Sequence, residues 1–219
     1  MELKEIKSNE VFTVDMMYAG TNNMLRTNIY GRVGLGNRCF VCADMYACLQ
    51  KAAPQLQQRG LKLKICDAYR PPLAHQMMKD IIPMPGFFAA EAIRSQHCHA
   101  SAVDVCLVNA ATGQELDFPC KVDAYTPYFA EEVANGRWEE FRNHLEKAKY
   151  SWNNPQDAAK IANRSLLRSL MEQSGLQALE HEWWHFNLPD KDKYPMVEFS
   201  LVDGQFCFSA QNNLTNFVH

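Results

Sequence analysis

No stretch of this 219-residue chain approaches the roughly 18 to 20 consecutive apolar residues that a helix needs to cross a bilayer. Its first residues, Met1-Glu2-Leu3-Lys4-Glu5-Ile6-Lys7, also lack the apolar core of a secretory signal. As written, the chain reads as cytoplasmic, or as periplasmic if a leader has been removed from it. A basic excess is missing too: 22 Lys and Arg stand against 25 Asp and Glu, a net charge of -3. Without clustered cations interleaved with aromatics, a nucleic-acid backbone has nothing to bind, so no nucleic-acid partner is expected. There is no internal repeat, low-complexity tract or Ser/Gly linker. With 47% hydrophobic residues the chain can bury one substantial core, and a single domain over 1–219 is expected. A homo-oligomer is compatible with this composition.

A phosphate-cradling loop is absent as well. Gly31, Gly34 and Gly36 do not fit G-x-G-x-x-G and no Gly-Lys-Ser/Thr follows them, so they read as turns. Cysteine is plentiful, with eight residues (Cys39, Cys42, Cys48, Cys66, Cys98, Cys106, Cys120 and Cys207). A chain of this length does not need covalent staples, and several of them sit in apolar contexts, so free, buried thiols are expected. Cys39-Phe40-Val41-Cys42 would suit half a zinc knuckle or a redox pair. No second Cys-x-x-Cys and no surrounding thioredoxin-like pattern supports either.

The local signals alternate between helix and strand. A helix is expected from Asp44, as N-cap, to about Arg59, with Gly60 as its left-handed stop and Pro54 kinking or breaking it. Leu61-Lys62-Leu63-Lys64-Ile65 has strand period and runs into Asp67-Ala68-Tyr69-Arg70-Pro71-Pro72, whose prolines end the strand and open a helix to about Asp80. Ala102 to Val108 reads as a strand with Ala102, Asp104 and Cys106 on one face. Asn154-Pro155 starts a helix that Gly175 ends, followed by a strand from about Gln177 to Phe186. A last hairpin joins Val197–Leu201 to Gln205–Phe208 through Asp203-Gly204. Hairpin-linked strands with separate helices indicate α+β, a mostly antiparallel sheet with helices packed around it.

Two segments about eighty residues apart carry the chemistry: Ser95-Gln96-His97-Cys98-His99-Ala100-Ser101-Ala102-Val103-Asp104 and Glu182-Trp183-Trp184-His185. His97, Asp104 and His185 would give zinc three protein ligands and leave a fourth position for water, the donor set of a catalytic site. Glu182 is the carboxylate placed to move the proton of such a water. Spacing alone leaves His99 as an alternative to His97. Glu182 and His185 would share a face in a helix but would oppose each other in a regular strand, which would then need a bulge or an end there. Arg70, in its Tyr-Arg-Pro-Pro turn, could hold a developing oxyanion, or could be a plain ion pair. His75, His144, His181 and His219 are expected in ordinary structural roles, and Trp183 and Trp184 in the core or a pocket wall.

These motifs resemble the zinc D-alanyl-D-alanine dipeptidases of the VanX type, related to D-alanyl-D-alanine carboxypeptidases and to Hedgehog-like zinc domains. The resemblance covers most of the chain. It includes S-x-H-x-x-G-x-A-[IV]-D at Ser95 to Asp104, E-W-W-H at Glu182 to His185, D-A-Y-R-P at Asp67 to Pro71, and the opening Val14 to Asn23 with Tyr30-Gly31. It implies one zinc on His97, Asp104 and His185, chosen over His99 by the seven-residue step to Asp104. It further implies Glu182 as general base and acid, Arg70 as transition-state stabiliser, Asp123 for the substrate ammonium, and Ser95 and Tyr18 as pocket residues. The fold it implies has zinc in a cleft on the sheet, and the activity is hydrolysis of D-alanyl-D-alanine or a similar dipeptide. Alternatives are another cell-wall peptidase of this fold, such as a D-Ala-D-Ala carboxypeptidase, and, more remotely, a zinc-bearing binding module or a thiol redox protein. Two departures stand out. Ala100 replaces the usual Gly, so either the backbone avoids the Gly-only conformation or the loop is altered. Phe118-Pro119-Cys120-Lys121 replaces a Gly-containing approach to Asp123.

Overall fold

A five-stranded sheet organises the molecule, in the order β2-β4-β5-β7-β6. The computed structural model describes residues 2–84, 87–123 and 139–211; His219, Ala124 and Tyr125 lie outside them. The strands of this sheet are β2 (Phe12–Val14), β4 (Leu61–Asp67), β5 (Ala102–Asn109), β6 (Gln177–Leu179) and β7 (Glu182–Asn187). All neighbours pair antiparallel except β2 with β4, which is parallel. The outcome is a mixed α+β fold with mostly antiparallel pairing. Two small sheets flank it, β1 (Leu3–Ile6) with β3 (Cys39–Cys42), and the hairpin β8 (Met196–Val202) with β9 (Gln205–Gln211). The composition gave no cue to β1, β2 or β3, which are too short for a periodic signal.

In β4, Leu61, Leu63 and Ile65 are buried while Lys62 and Lys64 are half-buried, the one-faced alternation that its sequence carries. Burying a side chain such as Leu63 or Ile65 contributes roughly 1.5 to 3 kcal/mol. β5 is buried from Ala102 to Val108 on both faces, as befits a central strand. Helices α1 (Ile29–Arg32), α2 (Ala43–Gln58), α3 (Pro72–Ile81), α4 (Glu139–Ala148) and α5 (Ala158–Gln173) surround these strands, with α2 packed on β4 and on α5.

Several expectations are corrected. α2 is capped at Cys42, and Asp44 instead sits in its first turn, where it accepts from Lys193 Nζ at 2.9 Å and Tyr194 OH at 2.8 Å. Pro54 does not divide α2. The buried stripe Met45, Leu49, Ala52 and Leu56 spans the proline, and this packing outweighs the single lost hydrogen bond. The strand expected over Gln177 to Phe186 is a hairpin of β6 and β7, turned at Glu180 and His181. Of the eight free cysteines, Cys48 and Cys120 are half-buried and Cys207 is exposed, so burial holds for the other five. The Asn154 cap opens a short 3-10 turn, Pro155–Asp157, from which α5 continues. Asp203 and Gly204 both take positive φ, as a two-residue hairpin turn requires. Trp183 and Trp184 are both core residues.

Candidate metal centre

β5 and β7 are neighbours in the sheet, and their register sets Asp104 directly opposite His185. The Asp104 Oδ1 and His185 Nδ1 atoms are 3.0 Å apart. His97 arrives from the 3-10 turn Gln96–His99 just before β5, with Nε2 lying 3.3 Å from Asp104 Oδ2 and 3.3 Å from His185 Nδ1. Ligand atoms of the three residues all lie within 4.8 Å of one another, and all three residues are buried. A tetrahedral zinc with bonds of about 2.0 to 2.2 Å has ligand–ligand edges of roughly 3.3 to 3.5 Å. The observed spacings therefore fit a cation of that size. Burial opposes charge on Asp104, but the two imidazoles outweigh it and hold the carboxyl well below its usual range.

The backbone fixes the orientation of His97. Its Nδ1–H donates to Ala68 O at 2.8 Å, which leaves Nε2 with its lone pair toward the cluster. His99 is not part of it. Both of its ring nitrogens face backbone carbonyls, Nδ1 to Tyr194 O at 2.7 Å and Nε2 to Ile93 O at 2.8 Å. Ala100 follows at φ 54, so the alanine itself adopts the left-handed conformation, which L-residues reach at some cost.

Glu182 is the first residue of β7. Leu179 pairs with Glu182 and Ala178 with Phe186, so residues 183–185 bulge on the β6 side while His185 stays paired with Asp104 in β5. That bulge brings Glu182 and His185 to the same cavity, with Oε2 and Nδ1 3.9 Å apart. Loss of solvation, with Asp123 and Asp104 close by, pushes the Glu182 carboxyl up to about 7 against the pull of His185. The cavity holds about 400 Å³ and is also lined by Arg70, Ser95 and Asp123. Asp123 is buried and pushed up to about 7 by that burial and by Asp104, while Tyr18 OH donates to its Oδ2 at 2.9 Å. Tyr18 itself is fully buried and lies behind Asp123, not on the cavity wall.

Asp67 is the residue that the sequence reading passed over. Its Oδ2 accepts from Arg70 Nε at 3.1 Å and Nη2 at 2.7 Å, and its Oδ1 accepts from Tyr30 OH and from Ala68 N at 2.9 Å. Burial opposes charge on Arg70, but this carboxylate keeps the guanidinium protonated. The Nε and Nη2 edge is thus committed to Asp67 in a residue that also lines the cavity. The signal for Asp67 was its position three residues before Arg70, a reach that only the folded turn makes evident.

A family model described as D-ala-D-ala dipeptidase, Peptidase_M15, matches residues 3–208. The chain belongs to this family. A D-alanyl-D-alanine dipeptidase of Escherichia coli (strain K12) is 27% identical over 195 residues, covering 89% of this chain and 86% of the relative. Another of the same name from Enterococcus faecium is 27% identical over 186 residues, covering 75% and 80%. A third, from Enterococcus faecalis (strain ATCC 700802 / V583), is 32% identical over 111 residues, covering 51% and 45%. The Peptidase_M15 match spans His97, Asp104 and His185 together with Tyr18, Arg70, Asp123 and Glu182. Among the described residues, no helix is long and apolar enough to cross a membrane.

Proposed function

We propose that this protein is a zinc metallodipeptidase that hydrolyses D-alanyl-D-alanine or a closely similar dipeptide, with zinc held in the cleft by His97, Asp104 and His185. The observation that supports this most is the convergence of those three donors at tetrahedral-edge spacing with Glu182 on the same cavity. When bound, zinc supplies a Lewis acid and an acidified water at neutral pH. Glu182 takes the proton of the attacking water and delivers it to the departing amine, a role suited to a carboxylate on the same cavity as the donor cluster. Arg70 presents its guanidinium to the carbonyl oxygen as negative charge develops there, typically worth a few kcal/mol. Asp123, oriented by Tyr18, accepts the substrate ammonium, and a cation there stabilises its ionised form. Ser95 adds a hydroxyl on the wall.

Release of free D-alanine from the dipeptide, measured together with zinc content, tests this reading. Turnover should vanish on chelation and return with zinc. Glu182→Ala should abolish turnover while retaining about one zinc per chain. Undiminished turnover by a verified metal-free preparation overturns the mechanism, and loss of zinc from the Glu182 variant overturns the role given to that carboxylate.

A further inference from the structure

The charge on the cavity wall is uneven. Among the described residues, three carboxylates line it, Asp104, Asp123 and Glu182, against two guanidinium groups, Arg70 and Arg94. A free dipeptide at neutral pH carries an ammonium at one end and a carboxylate at the other. With the metal ligands, Glu182 and Asp123 assigned, the carboxylate end has no counterpart yet. Arg70 is tied through Nε and Nη2 to Asp67 and is already assigned to the reacting carbonyl in the proposed mechanism.

Arg94 has the properties that the second end needs. Its side chain is 72% exposed, and its ion pair with the equally open Glu91 is long, at 3.9 Å. Such an exposed pair is weak and yields easily to a better acceptor. The backbone beneath it is fixed. Arg94 N donates to Glu91 O and Ser95 N to Ala92 O, both at 3.0 Å, while the buried His99 ring lies against Ile93 O at 2.8 Å. Three residues further on stands His97, so the guanidinium ends the 3-10 turn Ala92–Arg94 that directly precedes the turn Gln96–His99 carrying a proposed metal ligand. A planar fork of N–H donors matches a carboxylate in two parallel hydrogen bonds, which neither Ser95 nor Gln96 beside it can offer.

We propose that Arg94 is the receptor for the free α-carboxylate of the substrate's C-terminal residue and makes the enzyme select dipeptides with an unblocked C-terminus. The proposal rests on the dipeptidase reading and deepens it. The experiment compares D-alanyl-D-alanine with D-alanyl-D-alanine amide, on the zinc-loaded wild type and on Arg94→Gln, Arg94→Lys and His181→Gln. The wild type should favour the acid. Arg94→Gln should raise KM for the acid about 10- to 100-fold, the loss of one charge-assisted contact, with kcat within roughly threefold and KM for the amide within roughly twofold. Arg94→Lys should fall between them, and KM of the wild type for the acid should rise with salt. Turnover with undiminished preference for the acid in Arg94→Gln overturns the subsite and leaves the dipeptidase reading standing. Loss of that preference in His181→Gln alone moves the carboxylate to the opposite rim and likewise overturns it. Failure of the zinc-loaded wild type on both compounds overturns the dipeptidase reading and the subsite together.

Discussion

Asp67 and Arg70 lie three residues apart in one buried turn, and a single oxygen, Asp67 Oδ2, accepts from both Nε and Nη2 of the guanidinium. The same turn holds His97, a donor of the proposed metal site. Arg70 N donates to His97 O at 3.1 Å, and His97 Nδ1 returns a hydrogen bond to Ala68 O at 2.8 Å. One four-residue segment thus sets the positions of a cluster ligand and of the cation beside it.

If Asp67 acts through Arg70, then Asp67→Asn should lower kcat roughly 100-fold with a smaller change in KM. The double variant Asp67→Asn with Arg70→Gln should lose no more than about threefold beyond Arg70→Gln alone, because both changes remove one function. Removing Asp67 leaves a buried guanidinium without its counter-charge, which costs about 3 to 5 kcal/mol of stability. Tyr30→Phe is the gentler probe, since it deletes only the phenol bond to Oδ1, and it should reduce kcat several-fold in a protein that still folds. Additive losses in the double variant would show that Asp67 and Arg70 work separately.

Ala100 occupies the left-handed region at φ 54 with its side chain fully buried. An L-residue pays about 1 to 2 kcal/mol there, and glycine gives part of that back as greater freedom of the unfolded chain. Ala100→Gly should therefore raise stability by up to about 1 kcal/mol in urea unfolding. A loss of stability would mean that packing of the alanine methyl outweighs the backbone term.

Burial holds His75 and His144 down to about 4, although the Ala89 carbonyl that accepts from His75 Nε2 pulls that ring the other way. Their folded values lie below the ordinary 6.5, so the unfolded chain binds protons first as pH falls. The stability due to the neutral rings is complete above about 6.5 and is lost progressively toward about 4. Urea midpoints should fall across that window, and His75→Gln, which keeps a donor for Ala89, should flatten the decline. An unchanged slope in that variant would remove His75 from the account.

The local elements with strong period were legible. Leu61 to Ile65 alternates, Gly60 and Gly175 stop helices at positive φ, and Asp203-Gly204 closes a hairpin. The short strands β1, β2 and β3 were not, because three or four residues form a strand only when a neighbour completes their hydrogen bonds. The hairpin of β6 and β7 was missed for a related reason. Its turn, Glu180-His181, has no Gly, Pro or Asn to mark it.

By itself the sequence determined which side chains could serve as metal donors, because imidazole and carboxylate groups must be present in the chain before any fold can gather them. Spacing alone left open whether His97 or His99 faces the cluster, with only the family resemblance favouring His97, and whether Glu182 shares a side with His185. Tertiary structure decided both. Two backbone carbonyls engage the His99 ring, and a bulge in β7 turns Glu182 into the cavity. Neither effect is encoded within a few residues, since each depends on hydrogen-bond partners that only the packing of distant segments supplies.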